Sequence, residues 1–288
     1  MRKLLLVLST GIILLVGKSF VDAKELEVLR WVLIPAEEAA LELELFKPIG
    51  EYLEKELGIP VKMTVCSDYT AVVQAIKFGH ADMARFGPFN YVLATTQTEV
   101  EALVRGVKKS TGKDAYYSLI ITQRYNDIQR LEDLKGRTFA FVDPASCSGG
   151  LVPRTELLKA EINPDVDLKR TYDAGSHGAV IVAVRENKVD AGAVADNRFW
   201  DAIEKGVITE SELVVIHRSK PICNSPIAIR KDLSQELKER IRKAFIDMPK
   251  DLALNYGCRT LGFVIAKDED YDAIREIAKI LELDLTKK

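Results

Sequence analysis

The sequence predicts an α/β protein of two lobes, each a mainly parallel sheet flanked by helices. Three observations lead there. Apolar runs of strand length alternate with helical patterns along nearly the whole chain. Several of those strands run straight into a polar or glycine-containing turn and then a helix. The length is also sufficient for two domains. Removing a leader of 23 from 288 residues leaves 265, against roughly 100 to 150 for a typical domain.

The leader is read from Arg2 and Lys3, the apolar stretch Leu4 to Val16, and a small-residue site ending at Ala23, the pattern of a cleaved secretory signal. Broken by Ser9, Thr10 and Gly11, this run is shorter than the roughly 20 residues of a spanning helix. The first cysteine is Cys66, so none follows the leader to carry a lipid. The expectation is a free protein of the periplasm. Beyond residue 23 the chain has 38 basic and 42 acidic residues, a formal charge near −4. This argues against nucleic acid as a partner, and any bound anion must be held by local donors rather than by the overall field. Cys66, Cys147, Cys223 and Cys258 permit up to two disulfides in an oxidising compartment, but their spacing fits no metal or small disulfide framework. With His80, His177 and His217 far apart in sequence, neither a metal nor a cofactor is expected.

In order, Leu26 to Ile34 reads as a strand ending at Pro35, and the helical pattern after it is clearest from Phe46 to Leu57, stopping at Gly58. Val61 to Cys66 is a strand, Tyr69 to Phe78 a helix closed by Gly79, Ala81 to Phe86 a short strand, and Asn90 to Thr95 part of a helix. Further strands are expected at Glu101 to Val107, Tyr116 to Thr122, Arg137 to Val142, Val189 to Val194, Leu213 to His217 and Ile227 to Arg230. There is no internal repeat and no low-complexity linker. Two lobes must then be joined by short crossing strands, for which Tyr116 to Ile121 and Cys223 to Ile229 are the candidates. Two such crossings would make a hinge.

Ligands of open α/β sheets sit outside the carboxyl ends of strands, so the strand-to-helix turns matter most. Asp143-Pro144-Ala145-Ser146-Cys147-Ser148-Gly149-Gly150 lies between a strand and the helical Leu151 to Ala160. It reads either as an anion cradle of hydroxyls and backbone amides at a helix start or as an ordinary serine cap. A nucleotide phosphate loop is excluded because the lysine of GxxxxGK[ST] is absent. His177, at the start of the run Val180 to Asn187, can donate to an anion or be structural. Asp196, after the strand Val189 to Val194, can be a ligand acceptor or a cap. Tyr69 and Tyr116 can each point a phenol into a cleft or sit in the core.

These segments resemble the periplasmic phosphonate and phosphite binding proteins of ABC transporters, of the type II periplasmic-binding-protein fold. The likeness rests on Asp68-Tyr69-Thr70-Ala71-Val72-Val73-Gln74-Ala75, Phe78-Gly79-His80-Ala81-Asp82-Met83-Ala84, Tyr116-Tyr117-Ser118, Asp143 to Gly149 with Leu151-Val152-Pro153, Ala174-Gly175-Ser176-His177 and Val189-Asp190. It implies a ligand closed between two lobes, residues 24–117 with 226–288 and residues 118–225, joined by a two-strand hinge. It implies no catalysis, an ABC permease as partner, and a monomer. The family's Ser-Thr-Ser anion turn falls on Ser146, Cys147 and Ser148, its pocket histidine on His177, its acidic acceptor on Asp196, and its aromatic contacts on Tyr69 and Tyr116. Two departures stand out. A thiol replaces a hydroxyl at Cys147, and uncharged Ser225 stands where binders of aminoalkyl phosphonates carry an acid. The second points to a small ligand without an amine, such as phosphite or methylphosphonate. Two other readings remain open: a thiol hydrolase using Cys147, His177 and Asp196, and a ligand-sensing partner of a membrane histidine kinase.

Overall fold

The computed structural model describes residues 26–109, 112–255, 260–283 and 285. The expected leader and Cys258 lie outside the described residues. The chain begins with β1 (Leu29–Leu33), α1 (Ala39–Leu57), β2 (Val61–Val65), α2 (Tyr69–Lys77), β3 (Met83–Arg85), α3 (Pro88–Gln97) and β4 (Val100–Lys108). It continues through β5 (Ala115–Tyr116), β6 (Ser118–Gln123), β7 (Thr138–Phe141), a single π-helical turn (Cys147–Leu151), α4 (Val152–Lys159), β8 (Arg170–Asp173), α5 (His177–Arg185), β9 (Ala191–Ala195), α6 (Asp196–Glu204) and β10 (Leu213–Arg218). It ends with β11 (Ile222–Cys223), β12 (Pro226–Arg230), α7 (Gln235–Ile246), α8 (Lys250–Asn255), β13 (Thr260–Ile265) and α9 (Asp272–Ile280).

Two sheets organise these elements. One has the order β13-β4-β12-β3-β1-β2, the other β10-β6-β9-β7-β8. Both are mixed where the sequence predicted mainly parallel sheets. The cause is insertion. In the first sheet β1, β2, β3 and β4 share one direction, but β12 enters antiparallel between β3 and β4, and β13 pairs antiparallel outside β4. In the second, β6 is antiparallel to both neighbours while β7, β8 and β9 run together. The chain passes from the first sheet to the second after β4 and returns before β12. At these two passages β5 and β11 pair antiparallel, Tyr116 opposite Ile222 and Ala115 opposite Cys223.

Each sheet has its own apolar face. Trp31, Phe46, Leu53, Met83, Phe245 and Phe263 pack on one side of the first, with Phe46 and Phe245 edge-on to the Trp31 ring. Ile120, Phe139, Phe141 and Leu157 do the same in the second. A third cluster joins the lobes, running from Ile34, Tyr69 and Phe86 on one side to Val142, Cys147 and Val194 on the other. The two halves are closed on each other.

Candidate functional site

Between the lobes, five helical starts face one small space, those of α2, α3, the π-helical turn, α5 and α6. In each case a strand end is followed within a few residues by a helix, so the helices share an orientation relative to the sheets. The local cause is capping. Asp68 accepts from the Ala71 N–H at 2.7 Å, Ser146 from the Gly149 N–H at 3.2 Å and Ser176 from the Ala179 N–H at 3.1 Å. Gly87 precedes Pro88 at the first position of α3, where a missing N–H is harmless. The cavity is about 30 Å³, far below the roughly 300 Å³ of a drug-sized site. It suits a group of a few heavy atoms. Its walls include Tyr69, Tyr116, Ser146, Cys147, Ser148, His177 and Ser225, seven of the eight residues singled out from sequence.

Ser146 caps the turn, its oxygen accepting from the Gly149 N–H, and its hydroxyl lies within hydrogen-bonding reach of the Tyr69 phenol on the cavity wall. The turn is held tightly against the preceding strand. The Val142 N–H donates to Gly149 O at 2.8 Å and the Leu151 N–H to Ser146 O at 2.9 Å. Ser118 Oγ donates to Ser148 O at 2.6 Å, fixing the turn to β6. A Cβ on Gly150 would collide with the carbonyl oxygen of Asp143, which is backbone and cannot swing aside. Gly150→Ala is therefore expected to lower the unfolding free energy by about 3 kcal/mol through displacement of the turn, measurable by denaturant or thermal melts.

His177 is buried, and its Nδ1 accepts from the Ala195 N–H at 3.1 Å. Burial, then Arg198, then Arg85 push its pKa down to about 3. The ring is thus neutral near pH 7 with its proton on Nε2, a donor fixed in one tautomer. Tyr69 lies beside Ser146 and Tyr116 beside Cys147 and Ser148, and burial holds both phenols protonated. Burial also pushes the Cys147 thiol up to about 12. A thiol that burial holds protonated is a poor nucleophile, which argues against the thiol-hydrolase reading. Cys66, Cys147 and Cys223 are free thiols. The Ser225 N–H donates to Asn224 Oδ1 at 3.1 Å.

Asp196 departs from expectation. Its Oδ1 accepts from the backbone N–H groups of Tyr117 at 3.0 Å and Asn197 at 2.8 Å, so it ties α6 to the start of β6 and is not among the cavity walls. The neighbouring Asn197 lines the cavity instead, and its Oδ1 is buried without a hydrogen-bond partner.

Sequence reasoning also missed three cations on the cavity wall, Arg85, Lys108 and Arg198. Arg85 lies over the Phe46 ring at 5.1 Å and its Nη1 is 3.6 Å from Glu42 Oε2. Arg198 reaches Glu42 Oε1 at 2.9 Å and Glu37 Oε1 at 3.2 Å. A signal for this group existed. Glu42 sits four residues before Phe46 in the apolar stripe of α1, and Arg85 interrupts an apolar strand; buried charges in such places require partners.

Two α/β lobes closed over a small cavity of helix starts and donors define a two-lobed solute-binding protein of the type II periplasmic class. Residues 31–271 match the family described as ABC transporter, phosphonate, periplasmic substrate-binding protein, and the chain belongs to that family. It is similar to the phosphate-import protein PhnD of Mycolicibacterium smegmatis, 27% identical over 275 residues covering 88% of this chain and 86% of the relative. It is also similar to the phosphonates-binding periplasmic protein of Escherichia coli, 29% identical over 244 residues covering 82% of this chain and 71% of the relative. Among solved structures, the binding protein of a Pseudomonas aeruginosa ABC phosphonate transporter superposes with a TM-score of 0.82 at 25% identity, covering 88% of this chain and 86% of the other. PhnD1 of Prochlorococcus marinus, in complex with methylphosphonate, superposes at 0.81 and 20% identity, covering 89% and 98%. The chain is thus a substrate-binding component of an ABC transporter and not an enzyme.

Proposed function

We propose that the cavity captures a small phosphorus oxyanion without an amine, phosphite or a methylphosphonate-like phosphonate, for delivery to the transporter's permease. The observation that carries this is the convergence of five helical starts, the Ser146 and Ser148 hydroxyls and the neutral His177 donor on a space of about 30 Å³. Helix starts and oriented donors favour an oxyanion over a neutral solute. Uncharged Ser225 and the cations Arg85, Lys108 and Arg198 disfavour an aminoalkyl tail. Asn197 Oδ1 is an acceptor for a protonated ligand oxygen, in place of the carboxylate expected at Asp196. Sulfate, which has no proton to offer near neutral pH, leaves that acceptor unmet.

The lobes divide as residues 24–117 with 226–288 against residues 118–225, and they open by bending at the paired passages β5 and β11. The protein acts as a monomer, exported after cleavage of the leader near Ala23. Calorimetric titration of the ligand-stripped mature protein with phosphite, methylphosphonate, 2-aminoethylphosphonate, phosphate and sulfate tests the reading. Tight binding of phosphite or methylphosphonate with silent sulfate and 2-aminoethylphosphonate is expected. Preference for 2-aminoethylphosphonate, or silence with all five, would overturn it.

A further inference from the structure

We infer that Arg198, Glu37 and Glu42 form an ion latch that holds the lobes closed whether or not a ligand is bound. Arg198 belongs to α6, which follows a central strand of the second sheet. Glu37 and Glu42 lie on the other side of the cleft, at the approach to α1 and in its first turn. The guanidinium divides its fork between them, Nη1 to Glu37 Oε1 at 3.2 Å and Nη2 to Glu42 Oε1 at 2.9 Å. The side chains of Arg198 and Glu42 are 2% and 0% exposed and that of Glu37 14%. A surface pair contributes about 0 to 1 kcal/mol, but water does not screen this one. The seam continues beside it, where the His177 N–H donates to Ala36 O at 3.2 Å. A Cβ on Gly178 would fall 2.5 Å from Glu37 Oε2, so the start of α5 docks directly on the latch.

The latch can also release. Arg85, from the same lobe as Glu42, lies against the second Glu42 oxygen. When the lobes part, Glu42 keeps a cation and Arg198 passes to water, so no buried charge is left uncompensated. A device of this kind sets an equilibrium between closed and open forms before any ligand arrives. It does not depend on which oxyanion the site prefers.

The test is small-angle scattering of the ligand-stripped mature protein, wild type against Arg198→Met and Glu37→Gln, with and without phosphite. A compact particle of this length has a radius of gyration of about 18 Å. The wild type is expected to be near that value without ligand, and both variants are expected to expand. Stopped-flow mixing with phosphite should show faster association and about tenfold faster dissociation in the variants, since the closed fraction falls. Ligand-free variants that scatter as the wild type does would overturn the latch. Faster dissociation with unchanged ligand-free scattering would equally overturn it, making Arg198 a ligand contact only. If Arg198→Met fails to fold by circular dichroism, Glu37→Gln at the more exposed end decides alone. The ligand-free comparison stands even if phosphite does not bind, so failure of the latch and failure of the oxyanion reading are distinguishable.

Discussion

Replacing Glu42 with glutamine is expected to lower the unfolding free energy by about 3 to 5 kcal/mol, the usual cost of removing one partner from a buried ion group. Glu42 is fully buried on α1, with Arg198 at 2.9 Å on one oxygen and Arg85 at 3.6 Å from the other. The glutamine fits the space but carries no charge, so the two guanidinium groups of this enclosed region lose the carboxylate they share, while Glu37 still pairs with Arg198. Denaturant unfolding near pH 7 reads the change. A double variant, Glu42→Leu with Arg85→Met, should regain part of the loss, because an apolar pair of similar size replaces a buried ion pair at little cost. A loss below about 1 kcal/mol in Glu42→Gln would place the pair in the range of exposed salt bridges.

The second large effect is on acid stability and isolates His177. With its pKa pushed down to about 3 by burial and the nearby arginines, against 6.5 ordinarily, the folded protein refuses a proton that the unfolded chain accepts. Stability therefore falls as the pH drops from about 6.5 toward 3. Glu37, Asp143 and Asp196 act in the opposite sense, since burial raises each of them and the fold holds their protons more tightly. Their contributions are common to wild type and variant and cancel in a comparison. In His177→Gln the loss of unfolding free energy between pH 7 and pH 4 should be smaller than in wild type by roughly 3 kcal/mol, because each tenfold difference in proton affinity between the folded and unfolded chain corresponds to about 1.4 kcal/mol. Denaturant melts across that range measure it, and parallel slopes would mean that His177 titrates normally. The same variant loses the fixed Nε2 donor, so on the proposed oxyanion reading phosphite affinity at pH 7 should fall by at least about tenfold.

Much of this was legible in the sequence, and the gaps have physical causes. Strands buried on both faces, such as Ala191–Ala195 and Thr138–Phe141, declare themselves by continuous apolar residues. Exposed edge strands do not. Arg170–Asp173 has no apolar alternation and borrows its conformation from pairing with β7. The mixed pairing was hidden because strand order within a sheet is set by where distant segments insert. At the cavity, the turn from Ser146 to Gly150 and His177 could be found from local spacing, since a cap, a glycine pair and a helix start are neighbours in sequence. Asp196 at a helix start turns its carboxylate back onto backbone amides while the next side chain, Asn197, faces the cleft, a difference of one position that spacing alone does not resolve. Arg198 and Glu42 are separated by 156 residues, and only the closed fold brings them together.

The insertion of β12 has a consequence for how the chain acquires its fold. Residues 226–230 provide the strand between β3 and β4, with Ile227 opposite both Arg85 and Val104. Until that segment is available, the first sheet is two fragments with unpaired edges, open to non-native pairing. The second sheet, by contrast, draws all its strands from one continuous stretch, Ser118 to Arg218. The middle of the chain can therefore complete its structure during synthesis or on emergence from a pore, while the amino-terminal third waits for partners more than a hundred residues away. Closing so long a loop is slow relative to local pairing, so the lobe that begins the chain is expected to become native last.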